Sequence, residues 1–169
     1  HEAEEALQGG RIRGDGLGDG IESRLDDLGD RVLEVGKGEA VLRAGLADGT
    51  IDALCSDHTP VNEDAKQLPF SEAEPGATGV ELLLPLTLKW AAESKLGLSA
   101  ALERITAKPA AVLGIDAGHL AVGAAADICI FDPDAHWRVE PAALYSLGKN
   151  TPFSGFEMQG RVTHTLVSG

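Results

Sequence analysis

Asp57 and His58 are the residues of this chain whose types and spacing most clearly suit chemistry. They stand near the end of the stretch Ile51-Asp52-Ala53-Leu54-Cys55-Ser56-Asp57-His58-Thr59-Pro60. The small and apolar residues before Asp57 predict a strand covered on both faces, as in parallel sheets. Folds of the α/β class carry their chemistry at the carboxyl ends of such strands. The pattern therefore allows two interpretations equally, a site acid or an Asp that only forms a turn.

Composition and charge limit the classes of partner. The 169 residues carry a formal net charge of -13, which argues against nucleic acid and anionic membrane because phosphate binding relies on Lys and Arg. The apolar run Leu82-Leu83-Leu84-Pro85-Leu86 is far shorter than the roughly 20 residues of a membrane span. Cys55 and Cys129 lie in apolar stretches and predict buried thiols, with no zinc or disulfide pattern. We therefore expect a soluble, cytoplasmic protein.

Changes in periodicity divide the chain into three segments. Residues 1–38 are rich in Gly and acidic residues, which predicts an irregular segment with a short helix across Ile21–Leu28, or alternatively an ion site. Residues 39–116 have the helix-strand-helix order of an α/β unit. Residues 117–169 change to period two and predict a small β domain. The chain starts at His1 and not at Met, so we expect that it is part of a longer protein.

Local signals place the elements that would position Asp57. Helices are predicted near 39–48, 79–95 and 99–113, around a strand at 51–56. Further signals are a Thr78-x-x-Glu81 capping box, a kink at Pro85, a cap at Ser99, a new short helix begun by Pro109, and helix ends at Gly49 and Gly114. After Gly118, strands are predicted at Asp127–Phe131 and Arg161–Val167.

Several short motifs occur in a fixed order between Glu39 and Gly169. They are Ala44-Gly45-Leu46-Ala47-Asp48-Gly49-Thr50-Ile51-Asp52, Ser56-Asp57-His58-Thr59-Pro60, Pro69-Phe70, Pro75-Gly76, Gly79-x-Glu81, Lys108-Pro109-Ala110, Leu120-x-x-Gly123-x-x-Ala126-Asp127, Asn150-Thr151-Pro152-Phe153-x-Gly155 and Gly160-Arg161-Val162. In this order and spacing they resemble the C-terminal third of dihydroorotases. The resemblance implies an α/β fold: the C-terminal part of an amidohydrolase (β/α)₈ (TIM) barrel plus segments of a small β-sandwich domain.

The resemblance also implies a reaction and a site. Dihydroorotases are zinc-dependent cyclic-amide hydrolases of pyrimidine biosynthesis, which interconvert N-carbamoyl-aspartate and dihydroorotate. By resemblance, Asp57 is a metal ligand and the catalytic acid/base, because a metal-bound hydroxide needs a nearby carboxylate to move its proton. Pro75 and Gly76 fall on the substrate loop of the family. His58, beside the acid, is a further candidate for substrate binding.

Two departures from the family pattern bear on activity. Four residues after the acid, the family usually has a His that pairs with the substrate carboxylate, and this chain has Val61. The family also uses a His-x-His pair and a modified Lys for its metals, whereas the five histidines here are scattered singly. Asp57 is the only metal ligand that the family pattern supplies, so we expect the chain alone to bind no zinc tightly. His119, His136 and His164 are expected to have ordinary surface roles.

Three functions remain open from the sequence. The favoured one is a non-catalytic dihydroorotase-like partner of aspartate carbamoyltransferase, because truncation cannot explain Val61. The second is a C-terminal fragment of an active dihydroorotase, and the third is an allantoinase-type cyclic amidohydrolase. A part of a barrel would leave strand edges without partners, so a homo-oligomer is also possible.

Overall fold

The computed structural model of the chain describes residues 37–169, so the predicted short helix at Ile21–Leu28 lies outside the described residues, as does nearly all of the predicted irregular segment. Within the described residues, helices come first and a β-hairpin follows. The elements are α1 (Lys37–Asp48), α2 (Glu63–Lys66), a 3-10 helix (Val80–Leu82), α3 (Leu83–Glu93), α4 (Leu98–Glu103), α5 (Ala107–Leu113), β1 (Ile128–Arg138), a second 3-10 helix (Pro141–Ala143) and β2 (Glu157–Leu166).

Helix α1 confirms the prediction for residues 39–48. It ends at Gly49, which has a φ of 90° and whose N–H donates to the Gly45 carbonyl at 3.1 Å. The Asp48 carboxylate accepts the backbone N–H of Thr50 at 2.9 Å, and this hydrogen bond lowers the pKa of Asp48. The chain therefore leaves α1 through a defined turn toward Ile51.

Residues 51–57 differ most from the prediction. Within the described part of the chain they are neither helical nor paired as a strand, and the Leu54 N–H donates to the Arg104 carbonyl at 2.8 Å. A parallel strand exists only beside neighbours in the same sheet, and residues 37–169 supply no such neighbour here. Cys55 is exposed, which corrects the predicted buried thiol.

Helix α3, predicted as an apolar helix, connects two hydrophobic cores. Toward its end, Trp90 packs with Leu46 of α1 and Ala101 of α4. Just before its start, Leu82 packs with Val139, which follows β1, and with Met158 of β2. The predicted kink at Pro85 does not follow, because Pro85 lies in the first turn of α3, where helix N–H groups have no intrahelical partner. This one helix therefore joins the α part to the β part.

The helical stretch predicted at 99–113, with a new short helix in its second half, forms two helices, α4 and α5. The N-cap of α4 is Gly97 and not Ser99. Helix α5 starts at Ala107, two residues before Pro109, and ends at Gly114 with a left-handed φ of 67°, as predicted. The longest helix within residues 37–169 has 12 residues, and none of the helices there could span a membrane.

The two strands form one antiparallel hairpin sheet, with Ile128 opposite Leu166 and Arg138 opposite Glu157. Both predicted strands exist and are longer than the sequence indicated. Cys129 is exposed, not buried as predicted, although partial desolvation raises the pKa of its thiol. The sheet therefore buries chiefly the end that meets α3.

Candidate functional site

Asp57 sits in a strained turn. Its φ is 43°, a left-handed value that is uncommon outside glycine, although Asp tolerates it better than most residues. Its side chain is exposed, and the Thr59 hydroxyl donates to its backbone carbonyl at 3.3 Å. Such a conformation persists only where surrounding contacts hold it. The acid predicted from the sequence is therefore exposed to solvent, in a turn whose conformation depends on contacts with surrounding segments.

The turn that contains Asp57 is held beside the predicted substrate loop. His58 and Ala77 form a parallel bridge, and the Thr59 N–H donates to the Ala77 carbonyl at 3.0 Å. These backbone contacts join two segments that are far apart in sequence. The structure thus brings Asp57 and His58 close to the turn that carries Pro75 and Gly76.

Gly76 is required by both its conformation and its surroundings. Its φ is 129°, and a Cβ at this position would lie 2.5 Å from the Thr59 carbonyl oxygen. Its own carbonyl accepts the Asn150 side-chain amide at 3.0 Å, whereas Pro75 is exposed. The predicted substrate loop therefore approaches the acid turn as closely as a glycine permits.

A third segment, the loop 144–150, completes this region and was not predicted from the sequence. The Glu81 carboxylate accepts the backbone N–H groups of Tyr145 at 3.0 Å and Ser146 at 2.9 Å. The Thr78 hydroxyl donates to the Gly148 carbonyl at 2.5 Å. The predicted capping box is therefore wrong, because both of its side chains bind the loop and neither caps the helix.

Val61 is buried beneath the same loop. It is 6% exposed, and Gly148 passes so close that a Cβ there would lie 2.9 Å from the Val61 backbone nitrogen. A hydrocarbon side chain can neither donate a hydrogen bond nor carry charge. The position four residues after the acid is therefore part of the packed interior.

The described residues do not by themselves fit a zinc centre. A catalytic zinc generally takes three protein ligands, and residues 37–169 contain no group of three or more His, Cys, Asp or Glu placed to hold a metal ion. His119 pairs with Asp116 at 2.8 Å, while His136 and His164 are exposed on the two strands. Asp57 can contribute one carboxylate ligand, and further ligands would have to come from elsewhere.

Comparison with known sequences identifies the family. The amidohydrolase family matches residues 16–169, so this chain belongs to the amidohydrolase family. The resemblance was expected to start at Glu39, but the match begins further upstream, at residue 16. Within the family, the chain is similar to dihydroorotases: it is 45% identical over 128 residues to the dihydroorotase of Geobacter sp. (strain M21), covering 76% of this chain and 30% of that protein. The dihydroorotase of Geotalea daltonii is 45% identical over 130 residues, covering 77% and 31%.

Solved structures agree on the fold. The L-hydantoinase (dihydropyrimidinase) from Arthrobacter aurescens matches with a TM-score of 0.73 and 30% identity, covering 88% of this chain and 35% of that one. The D-hydantoinase (dihydropyrimidinase) from Thermus sp. matches with a TM-score of 0.71 and 25% identity, covering 78% and 30%. The predicted fold class is therefore confirmed: the chain is α/β and has the fold of part of an amidohydrolase (β/α)₈ barrel. It spans about 30% of the curated relatives that it matches.

Proposed function

We propose that this chain is the part of a dihydroorotase-like protein that carries the acid turn and the substrate loop, and that the whole protein is non-catalytic. In this proposal the protein serves as a structural partner of aspartate carbamoyltransferase. Its sequence identity with dihydroorotases supports a dihydroorotase-like role. The residues around Asp57 bear on the proposed loss of catalysis.

The burial of Val61 carries the proposal. In the dihydroorotase pattern, this position holds a His that pairs with the carboxylate of the substrate. Here the side chain is apolar and buried, and the loop 144–150 passes close to the backbone nitrogen of the same residue. Loss of a hydrogen bond to a charged group costs about 1.5–3 kcal/mol, or roughly 10 to 100-fold in affinity. A substrate carboxylate would meet no donor from the Val61 side chain.

An active zinc-dependent dihydroorotase is the second candidate, and one observation favours it. The acid Asp57 is held beside the loop that carries Pro75 and Gly76, and this proximity would let an acid/base act on a substrate bound by that loop. In that case Asp57 would be a metal ligand and the acid/base, and Pro75 and Gly76 would contact the substrate. The remaining metal ligands would lie outside the described residues.

Association with aspartate carbamoyltransferase is the expected property of the favoured function. When the full-length protein and the aspartate carbamoyltransferase of the same organism are mixed at micromolar concentration, we expect a single complex in sedimentation velocity. Asp57→Ala is the matched control, because the exposed acid is expected to contribute nothing to a scaffold contact. Two separately sedimenting species for the wild type would contradict the partner role.

A further inference from the structure

The first N–H groups of the helix that starts at Val80 have an acceptor from a distant segment. The Gly79 and Val80 N–H groups donate to His58 Nδ1 at 3.1 and 3.2 Å. The N-terminal N–H groups of a helix have no intrahelical partner and need an outside acceptor. Gly79, the N-cap residue, makes no side-chain cap. His58 therefore caps a helix that begins more than 20 residues later in the chain.

This geometry fixes the proton of His58. A ring nitrogen that accepts hydrogen bonds carries no proton, so the neutral imidazole has its proton on Nε2. Nδ1 is fully engaged by the helix start, and Nε2 is left as a donor. Within the described residues, no protein group accepts that remaining proton.

Close backbone contacts flank the His58 cap on both sides. A Cβ on Gly79 would lie 2.6 Å from the Ser56 carbonyl oxygen, and a Cβ on Gly76 would lie 2.5 Å from that of Thr59. The two segments touch immediately before and after the strained turn at Asp57. The side chain between these contacts is that of His58.

We propose that His58 is a positioning residue. By accepting the N–H groups of Gly79 and Val80 through Nδ1, it fastens the acid turn to the helix start, and so holds Asp57 in its left-handed conformation beside the turn of Gly76. The assignment goes beyond the proposed function and applies equally to a scaffold and to an enzyme, because it concerns position alone. It also limits any ligand contact of His58 to donation from Nε2.

Two substitutions in the full-length protein separate the two ring nitrogens. Asn has its acceptor oxygen as many bonds from Cβ as Nδ1 is, whereas the oxygen of Gln lies one bond further, nearer to Nε2. His58→Asn is therefore expected to keep the cap and His58→Gln to lose it. His164→Asn is the matched control, because His164 is exposed on β2.

The readout is amide hydrogen exchange at Gly79 and Val80, measured by NMR. We expect exchange in His58→Gln to be faster by roughly tenfold, which corresponds to the loss of one or two hydrogen bonds, and exchange in His58→Asn and His164→Asn to stay near the wild-type rate. Protection that is kept in His58→Gln and lost in His58→Asn would overturn the proposal. If either variant fails to fold, nitrogen-15 NMR of the wild type decides the matter: a proton on Nε2 supports the cap, and a proton on Nδ1 contradicts it.

Discussion

Gly76→Ala is expected to destabilise the full-length protein by about 3 kcal/mol. The new Cβ would meet the Thr59 carbonyl oxygen at 2.5 Å, and the residue would have to keep a φ of 129°. A disfavoured backbone conformation costs about 1–3 kcal/mol, and an overpacked site costs roughly as much. The contacting atom belongs to the backbone, so it cannot move aside as a flexible side chain would. Urea unfolding followed by circular dichroism measures the difference.

Gly123→Ala separates these two costs. Gly123 also has a positive φ, 90°, but nothing lies within 4 Å of the position of its Cβ. This control is therefore expected to show only the conformational cost, about 1 kcal/mol. Equal losses of stability in the two variants would contradict the close approach of Gly76 to Thr59.

Leu82→Ala is expected to lower the free energy of unfolding by about 3 kcal/mol. Leu82 is 0% exposed and packs against Val139 and Met158. Truncating a buried leucine loses its transfer free energy and leaves a cavity, and such changes cost about 2–5 kcal/mol. Because this core joins α3 to the sheet, the loss is expected in the global unfolding transition.

Leu147→Ala is the control, because it makes the same substitution at an exposed position. The side chain is 97% exposed, so the same deletion of methyl and methylene groups is expected to change stability by less than about 0.5 kcal/mol. Similar effects of the two leucine substitutions would show that Leu82 is not part of a packed core.

Helices were the most predictable part of the fold, because their signals are local. The apolar spacing around Leu46 and Trp90 and the glycines at 49 and 114 depend on short stretches of chain, and the structure confirms them. The strand expected at 51–56 failed because a strand is defined by its neighbours. Periodicity alone cannot supply those neighbours.

The sequence supplied candidate site residues but not their arrangement. The sequence placed Asp57 and Gly76 in one site through the family resemblance, and the structure brings their two turns together. The pattern Thr78-x-x-Glu81 is the same whether its side chains hydrogen-bond to local or to distant backbone groups, so the sequence did not reveal its contacts with the loop 144–150. Which nitrogen of His58 accepts a hydrogen bond likewise depends on a segment far along the chain.

The most direct test of the account is a dihydroorotate ring-opening assay on the full-length protein purified with zinc, comparing the wild type with Asp57→Ala. The non-catalytic function predicts that both proteins show the same rate, equal to that of buffer. Turnover by the wild type that falls at least 100-fold in Asp57→Ala would contradict it, because removal of a catalytic acid/base costs about 10²–10⁴-fold.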